Sequence, residues 1–310
     1  MGEASVVVQI CWTALSTAIP MILFAVAFSL VLKVVKIWNF AQAGFMAVAF
    51  YAMYATYNLL QWPMWLAVLI GLALTLIASL TLEPFGLDVL RRRKSPHLTY
   101  FILTLVMSLF LAAFLSMLFG TEPVPLTPEI MSPVKIVGSI VMSHWDLRAI
   151  AVGVVLLLLL HQFIIRTRDG QYMLAVADNA ELAELYGISA KRTRIVTFFA
   201  ASIFITAGMW LAGTRGAINA HMPLQMLIFA VVATLLGGTG GIFTSALAAA
   251  ILSLIQALSV LVIPSQWQGF VLYVFLFVTI LFFPKGFNVR NLKLAAILGK
   301  SARVMRAGQG

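Results

Sequence analysis

Apolar runs of about 20 residues, each long enough to cross a bilayer as a helix, recur along the chain and limit what it can fold into. Of the 310 residues, 62% are hydrophobic and 10% are charged, whereas a soluble domain carries about 25% charged residues. The sequence lacks the alternation of apolar and polar residues that membrane β-strands show. It therefore predicts an all-α polytopic membrane protein with a single transmembrane domain over residues 1–310.

About eight or nine segments fit this description. The predicted spans are approximately 8–32, 37–59, 62–82, 97–119, 148–165, 195–213, 223–237, 242–262 and 267–284. The segment 223–237 is short for a full crossing, which indicates a partial or strongly tilted helix. The largest segments between and after the spans are the Pro-rich loop at about 120–147, the polar loop at about 166–194 and the tail at about 285–310.

The basic residues are distributed unevenly between the two sides of the membrane. If the run RRRK at 91–94 is cytoplasmic, alternation of the spans places all but three of the 20 Lys and Arg residues on that side. The exceptions are Lys135, Arg148 and Arg215. Since cytoplasmic loops carry an excess of Lys and Arg, we expect the N-terminus and loop 120–147 outside, and loop 166–194 and the C-terminus inside. The net charge of +10 then reflects orientation in the membrane and not binding to nucleic acid.

Residue patterns typical of enzymes are missing from the sequence. It has no G-x-x-x-x-G-K-[ST] phosphate loop, and with Cys11 as the single cysteine it cannot form an internal disulfide or a cysteine-based metal cluster. The Gly-rich run LLGGTGGIF at 235–243 is interpreted as close helix packing through small residues. On the predicted topology no acidic residue lies at mid-membrane, where a proton-coupled transporter usually has one. We expect neither an enzyme active site nor a bound cofactor in this chain.

A short polar segment, DNAELAELYGISAKR at 178–192, separates two apolar regions. Asp178 followed by Glu181 has the spacing of a capping box with Asp178 as the N-cap, and Gly187 suits a left-handed C-cap. Three large residues fall at i, i+3 and i+4 on one face of the predicted two-turn helix: Leu182, Leu185 and Tyr186. A helix this short is marginal alone in water. It is therefore either an amphipathic connector on lipid headgroups or a docking helix for a cytoplasmic protein.

The same residues resemble a family signature. Glu181, Ala183 and Gly187 match the E-A-A-x-x-x-G signature of ABC-importer permeases, with Leu182 in place of the second Ala. Longer blocks resemble branched-chain amino-acid ABC permeases. They are RDGQYMLAVADNAELAELYGISAKRTRIVTFFAASIFITAGMWLAG, WNFAQAGFMAVAFYA at 38–52, LLGGTGGIF, and LFFPKGF at 281–287. The blocks occur in order across most of the chain, and the short N-terminal region resembles the shorter of the two paired permeases.

The resemblance implies a permease subunit of an ATP-driven importer for a small polar solute, most simply a branched-chain or related amino acid, in a bacterial cytoplasmic membrane. Its implied partners are a homologous second permease subunit, two cytoplasmic ATPase subunits, an extracytoplasmic solute-binding protein and membrane lipid. The implied ATPase-coupling helix comprises Asp178, Glu181, Leu182, Ala183, Leu185, Tyr186 and Gly187.

Asn39, Gln42 and Gly44 are candidates for the translocation path. Asn39 and Gln42 are uncharged polar residues in an apolar segment, so they either form helix–helix hydrogen bonds or line a path near a broken helix. Gln42 replaces the His of the family pattern and Ala43 precedes the Gly, which leaves the solute open among amino acids, amides, urea and small organic acids.

Two functions of other classes stay open at this point. One is a secondary transporter or channel that works without ATPase subunits. The other is a membrane scaffold whose polar helix recruits a soluble partner. Copurification with two ATPases and a second permease distinguishes the importer from both, whereas a stable, active homo-oligomer favours the alternatives.

Overall fold

In the computed structural model the described residues are 3–127, 134–137, 140–238 and 241–259, with isolated residues between 261 and 281. The predicted last span at about 267–284 therefore lies largely outside the described residues, and the predicted tail at 285–310 lies outside them entirely. The extent of the single transmembrane domain over 1–310 stays a prediction.

The described residues are mostly helical. In chain order the helices are α1 (Glu3–Val35), α2 (Ala41–Tyr54), α3 (Met64–Leu82), α4 (Asp88–Arg92), α5 (His97–Phe119), α6 (His144–Arg166), α7 (Arg168–Asp178), α8 (Ala180–Leu185), α9 (Ala190–Arg215), α10 (Met222–Gly237) and α11 (Ile242–Ser259). Two π-helical turns, Ala55–Leu59 and Glu83–Leu87, continue α2 and α3. Strands β1 (Val134–Val137) and β2 (Ile140–Ser143) pair antiparallel.

Six helical stretches of the described residues are long and apolar enough to cross a membrane, and α10 is a shorter apolar helix. The prediction of an all-α polytopic membrane protein is confirmed at this level, while the total number of spans stays a prediction. With 16 residues, α10 is roughly 24 Å long at 1.5 Å per residue. It is thus shorter than the roughly 30 Å hydrocarbon layer, as the sequence indicates.

Helix α1 forms the centre of the bundle. It is apolar on every side, as a buried helix must be, and its apolar stretch is 89% buried. Helices α6, α9, α10 and α11 pack around it. It ends at Val35, where Lys36 takes a positive φ of 60°, and α2 begins at Ala41. The apolar region is therefore divided into two helices, as the predicted spans 8–32 and 37–59 require, with α2 starting four residues later than the predicted second span.

Helices α3, α5 and α6 lie at the periphery. Their apolar stretches are only 22–28% buried. On α3 the buried face is a row of small residues four apart: Ala67, Gly71, Thr75 and Ser79. Large residues such as Leu69 and Ile77 on α3, and Ile102 and Phe110 on α5, are exposed. Since lipid tails are as apolar as Leu, small residues inside and large apolar residues outside are the arrangement of lipid-facing helices.

One end of the bundle, here called the hairpin end, carries β1–β2 and the loops around Val124 and Ile218. Val124 and Ile218 exchange two backbone hydrogen bonds of 3.1 and 2.9 Å. The Gln9 side chain of α1 donates to the carbonyl of Val141 and accepts from its N–H. Part of the predicted loop 120–147, namely 128–133 and 138–139, lies outside the described residues.

Helix α6 begins earlier than the sequence analysis predicts. The predicted span starts at 148, but α6 starts at His144. Ser143 and Asp146 form a capping box there, in which the Asp146 carboxylate accepts from the Ser143 N–H at 2.9 Å. These caps stabilise one more helical turn that hydropathy alone does not indicate.

The opposite end carries Lys33, Lys36, Arg91–Lys94 and residues 166–194, and is called the basic end. Gly241, directly before α11, contacts α1 near this end. Ser29 Oγ of α1 donates to the Gly241 carbonyl at 3.4 Å and accepts from Ser245 Oγ at 3.1 Å. A Cβ atom on Gly237 would lie 2.5 Å from the Ser245 nitrogen. The glycine therefore permits close packing of the two helices, as interpreted for LLGGTGGIF.

Candidate coupling surface and translocation segment

The polar loop 166–194 contains two helices where the sequence analysis predicts one. Helix α7 begins after Thr167, whose hydroxyl accepts from the Gly170 N–H at 3.0 Å. Its buried residues have helical spacing: Gly170, Met173, Val176 and Ala177. With this face α7 packs against α1, α6 and α9. Helix α7 therefore anchors the loop to the basic end of the bundle.

Helix α8 starts differently from the prediction. Asn179 is its N-cap, since Asn179 Oδ1 accepts from the Leu182 N–H at 3.0 Å, and Asp178 is the last residue of α7. The predicted capping box of Asp178 and Glu181 is wrong. Asn179 is the single residue between α7 and α8. It has the extended conformation that is typical of an N-cap (φ −150°, ψ 107°). The helix is also short, with six residues.

The end of α8 agrees with the sequence analysis. Gly187 has a φ of +81°, and two hydrogen bonds of 3.0 Å join the Ile188 N–H to the Ala183 carbonyl and the Gly187 N–H to the Glu184 carbonyl. This pair defines a Schellman motif. Ser189 follows at once and caps α9 by accepting from the Arg192 N–H. The connection from α8 to α9 is therefore short, and hydrogen bonds hold it at the end of α8 and at the start of α9.

The large apolar side chains of α8 are exposed. Leu182, Leu185 and Tyr186 are 50%, 84% and 79% exposed, whereas Ala183 is buried against the bundle. Glu181 is exposed beside them. Clustered apolar surface at an otherwise polar, basic end of a protein is typical of an interaction site.

A buried ion cluster lies where α9 begins. Glu83, in the π-helical turn after α3, is 1% exposed, and its Oε1 accepts from Arg91 Nη1 at 2.5 Å and from Arg194 Nε at 2.7 Å. Sequence analysis missed this cluster, since Glu83 and Arg194 are 111 positions apart. The available signal was local: an acidic residue and Pro84 at the end of an apolar span, directly before the basic run.

Asn39 lies in the break between α1 and α2, Gln42 lies in the first turn of α2, and both are almost fully buried. Asn39 Oδ1 accepts from the Ala41 N–H at 3.2 Å, and Gln42 Nε2 donates to the Ala27 carbonyl of α1 at 3.4 Å. Asn39 Nδ2 and Gln42 Oε1 have no hydrogen-bond partner among the described residues. Gln42 thus makes the helix–helix hydrogen bond of the first interpretation, and one amide donor and one acceptor stay available.

Gly44 lies at the contact between α2 and α5. A Cβ atom there would be 2.8 Å from Leu111 Cδ1 and 3.1 Å from Ser108 Cα. A glycine is therefore needed for this close approach. The assignment of Asn39, Gln42 and Gly44 to a translocation path stays a prediction.

Known proteins resemble this chain along most of its length. A family model described as branched-chain amino acid transport system / permease component matches residues 10–280. The high-affinity branched-chain amino acid transport system permease protein LivH of Salmonella typhimurium (strain LT2) is 27% identical over 279 residues, covering 85% of this chain and 89% of LivH. The corresponding protein BraD of Pseudomonas aeruginosa is 25% identical over 278 residues, covering 85% and 90%.

A solved structure shares the fold. PsaBC from Streptococcus pneumoniae in complex with Fab superposes with a TM-score of 0.50 and covers 91% of this chain and 93% of that chain. The identity between the two sequences is 15%, so this likeness concerns the fold alone.

Proposed function

The chain belongs to the branched-chain amino acid transport permease family, and from this premise we propose that it imports a branched-chain or related amino acid. It is a permease subunit of an ABC importer, a multi-pass protein of the bacterial cytoplasmic membrane and not an enzyme. The relatives do not favour a secondary transporter or channel. In the proposed system it pairs with a homologous permease subunit, two separate ATPase subunits hydrolyse ATP, and an extracytoplasmic binding protein delivers the solute.

In the proposed orientation the basic end lies in the cytoplasm and the hairpin end outside. The support is electrostatic. The basic end collects Lys33, Lys36, Arg91–Lys94 and the basic residues of 166–194, and an excess of Lys and Arg is typical of the cytoplasmic side of a membrane protein. This orientation puts the N-terminus outside, the C-terminus inside, and α8 in the aqueous cytoplasm.

Helix α8 is the proposed coupling helix, and the observation that carries this proposal is the exposure of its apolar side chains. Leu185 at 84% and Tyr186 at 79% face water on a helix that is capped at both ends and anchored through α7 and α9. Fully burying a Leu side chain contributes about 1.5–3 kcal/mol. A groove on an ATPase subunit that covers this face would therefore gain affinity and transmit force through a stiff element.

The solute is proposed to pass the segment that contains Asn39 and Gln42. Their free amide donor and acceptor, Asn39 Nδ2 and Gln42 Oε1, can bind a small solute that carries both acceptors and donors. An amino acid has both kinds of group. The two amides are uncharged, so they can bind it through hydrogen bonds without an ion pair.

Substituting Leu185 tests the coupling proposal. Leu185→Asp places an unpaired charge in the proposed contact, so we expect normal membrane insertion, loss of ATPase copurification and loss of ATP-dependent amino-acid uptake in reconstituted vesicles. Leu185→Met is the matched control, because it keeps an apolar side chain of similar volume and should behave like the wild type. If Leu185→Asp copurifies and transports as Leu185→Met does, α8 is only a connector.

A further inference from the structure

We propose that Glu83 is a positioning residue for transport. Its ion cluster with Arg91 and Arg194 joins α9, which directly follows the coupling helix α8, to the end of α3, so that movement of α8 reaches the membrane helices. This inference rests on the proposed function of α8 and adds the element that receives its movement.

The cluster is built to hold three segments together. Glu83 belongs to the π-helical turn after α3, Arg91 to α4 and Arg194 to α9. Arg91 makes two hydrogen bonds to the carboxylate, of 2.5 and 3.3 Å, and Arg194 makes one of 2.7 Å. Because Glu83 is 1% exposed, its charge depends on these partners, and removing a partner of a buried ion pair is strongly destabilising to the contact.

The path from α8 to Glu83 is short and stiff. Gly187 closes the Schellman motif, Ser189 caps α9, and Arg194 is the fifth residue of α9. No flexible linker separates the exposed face of α8 from the guanidinium that binds Glu83. A displacement of α8 therefore moves Arg194 with it.

Helix α3 passes the movement further into the bundle. A second buried contact ties it to α9, since Ser79 Oγ and Ser202 Oγ are 3.0 Å apart. On its other side α3 packs closely on α2, where a Cβ atom on Gly71 would lie 3.2 Å from the Ala49 carbonyl oxygen. Helix α2 begins directly after Asn39 and Phe40 and contains Gln42 in its first turn. The contacts thus lead from α8 through α9 and α3 to the proposed translocation segment.

The chain around Glu83 needs this support. Pro84 lacks a backbone N–H and cannot donate to the residue four before it. The helix therefore has a π-helical turn at Glu83–Leu87. Such turns and prolines are where helices bend. With one backbone hydrogen bond fewer, the angle between α3 and α4 depends more on the ion cluster.

The same segment offers a matched control. Asp88 and Arg92 form an ion pair of 2.9 Å four residues apart on α4, and Arg92 is 76% exposed. Both residues of this pair lie on α4, and among the described residues the pair makes no hydrogen bond or ion pair to a second helix. Asp88→Asn therefore removes the same charge as Glu83→Gln, within five residues of it, without cutting the contact to α9.

The test is the number of solute molecules transported per ATP hydrolysed by the complete importer in liposomes with its binding protein. For Glu83→Gln we expect ATP hydrolysis close to the wild-type rate and a fall of about tenfold in this ratio, within the range of typical coupling effects. Asp88→Asn should keep the wild-type ratio. A purely structural role would lower hydrolysis and uptake in parallel, and that result would overturn the proposal, as would a wild-type ratio for Glu83→Gln.

A charge reversal gives the second arm. Arg194→Glu should uncouple transport, because it replaces the guanidinium that binds Glu83 by a second carboxylate and so breaks the contact between α9 and the turn after α3. A wild-type ratio for Arg194→Glu would contradict the proposal. If Glu83→Gln fails to insert, Arg194→Lys replaces it, since Lys keeps the charge but loses the planar guanidinium geometry. An unchanged ratio in that variant would overturn the inference.

These outcomes are separate from those that test the proposed function. If the wild-type complex shows no ATP-dependent uptake, the proposed function fails, whatever Glu83 does. If the wild type transports and Leu185→Asp blocks ATPase binding, the proposed function stands and the Glu83 variants decide the inference alone.

Discussion

Substitutions at Gly187 test the coupling role of α8 through the backbone conformation alone, without changing side-chain contacts within this chain. The φ of Gly187 is +81°, in the left-handed region, and a Cβ atom placed there would meet nothing within 4 Å. Any penalty for a substitution therefore comes from the backbone and not from a steric clash within this chain. The series Gly187→Asn, Gly187→Ala and Gly187→Val varies that penalty at one position.

The expected magnitudes follow from the conformation. A left-handed residue with a Cβ costs about 1–2 kcal/mol, Asn is the mildest replacement for glycine, and a β-branched residue is strained most. If the ATPase subunit binds only the capped form of α8, its apparent dissociation constant rises in proportion as the populated fraction of that form falls. At about 1.4 kcal/mol per tenfold change, Gly187→Ala should weaken ATPase binding about tenfold, Gly187→Asn less than about threefold, and Gly187→Val more than tenfold.

The assay is the dissociation constant between the ATPase subunits and the permease pair in lipid nanodiscs, with uptake in vesicles as the functional measurement. Membrane insertion, followed by expression and protease resistance, should be equal for all three variants, because the turn is exposed. The expected order of affinity is wild type, Asn, Ala and then Val.

Two results would refute the reasoning. Equal affinities for all variants would show that the ATPase does not depend on the C-cap of α8. Equal losses for Gly187→Asn and Gly187→Val would show that φ is not the cause, and that the partner instead requires the space of a missing side chain.

Two further predictions concern orientation and the path. In a chain with Cys11 replaced by Ser, a membrane-impermeant maleimide added to intact spheroplasts should label Glu122→Cys but not Lys94→Cys, since the hairpin end is expected outside; the reverse pattern would invert the topology. Gln42→Leu removes one helix–helix hydrogen bond, worth about 0.6 kcal/mol, so Tm should fall by no more than about 2 °C. Uptake should fall markedly. Normal uptake with an unchanged solute preference would show that Gln42 does not line the path.

Much of the fold follows from local pattern. The long apolar stretches predict α1, α3, α5, α6, α9 and α11, because hydrocarbon accepts a chain only where each backbone group is satisfied within a helix. The left-handed Gly187 was also predicted, since a C-cap depends on residues within one turn.

The start of α8 shows where local pattern fails. Asp178 and Asn179 are both good N-cap residues, and the sequence alone does not choose between them. The choice depends on α7, which continues through Asp178 because its buried face packs on α1, α6 and α9. Tertiary packing fixed the last residue of α7, and this left Asn179 as the N-cap of α8.

The sequence by itself thus determined that this chain is a bundle of membrane helices with a short capped helix in a polar loop, since hydropathy and capping act between neighbours along the chain. The tertiary structure decided which distant residues meet: Gly44 and Leu111, Ser29 and Gly241, and Glu83 and Arg194. The sequence around the carboxylate at the end of α3 does not predict its contact with a guanidinium 111 positions later. The packing of α3 against α9 brings the two charges together. Once they are buried, each charge needs the other, because an unpaired buried charge is strongly destabilising.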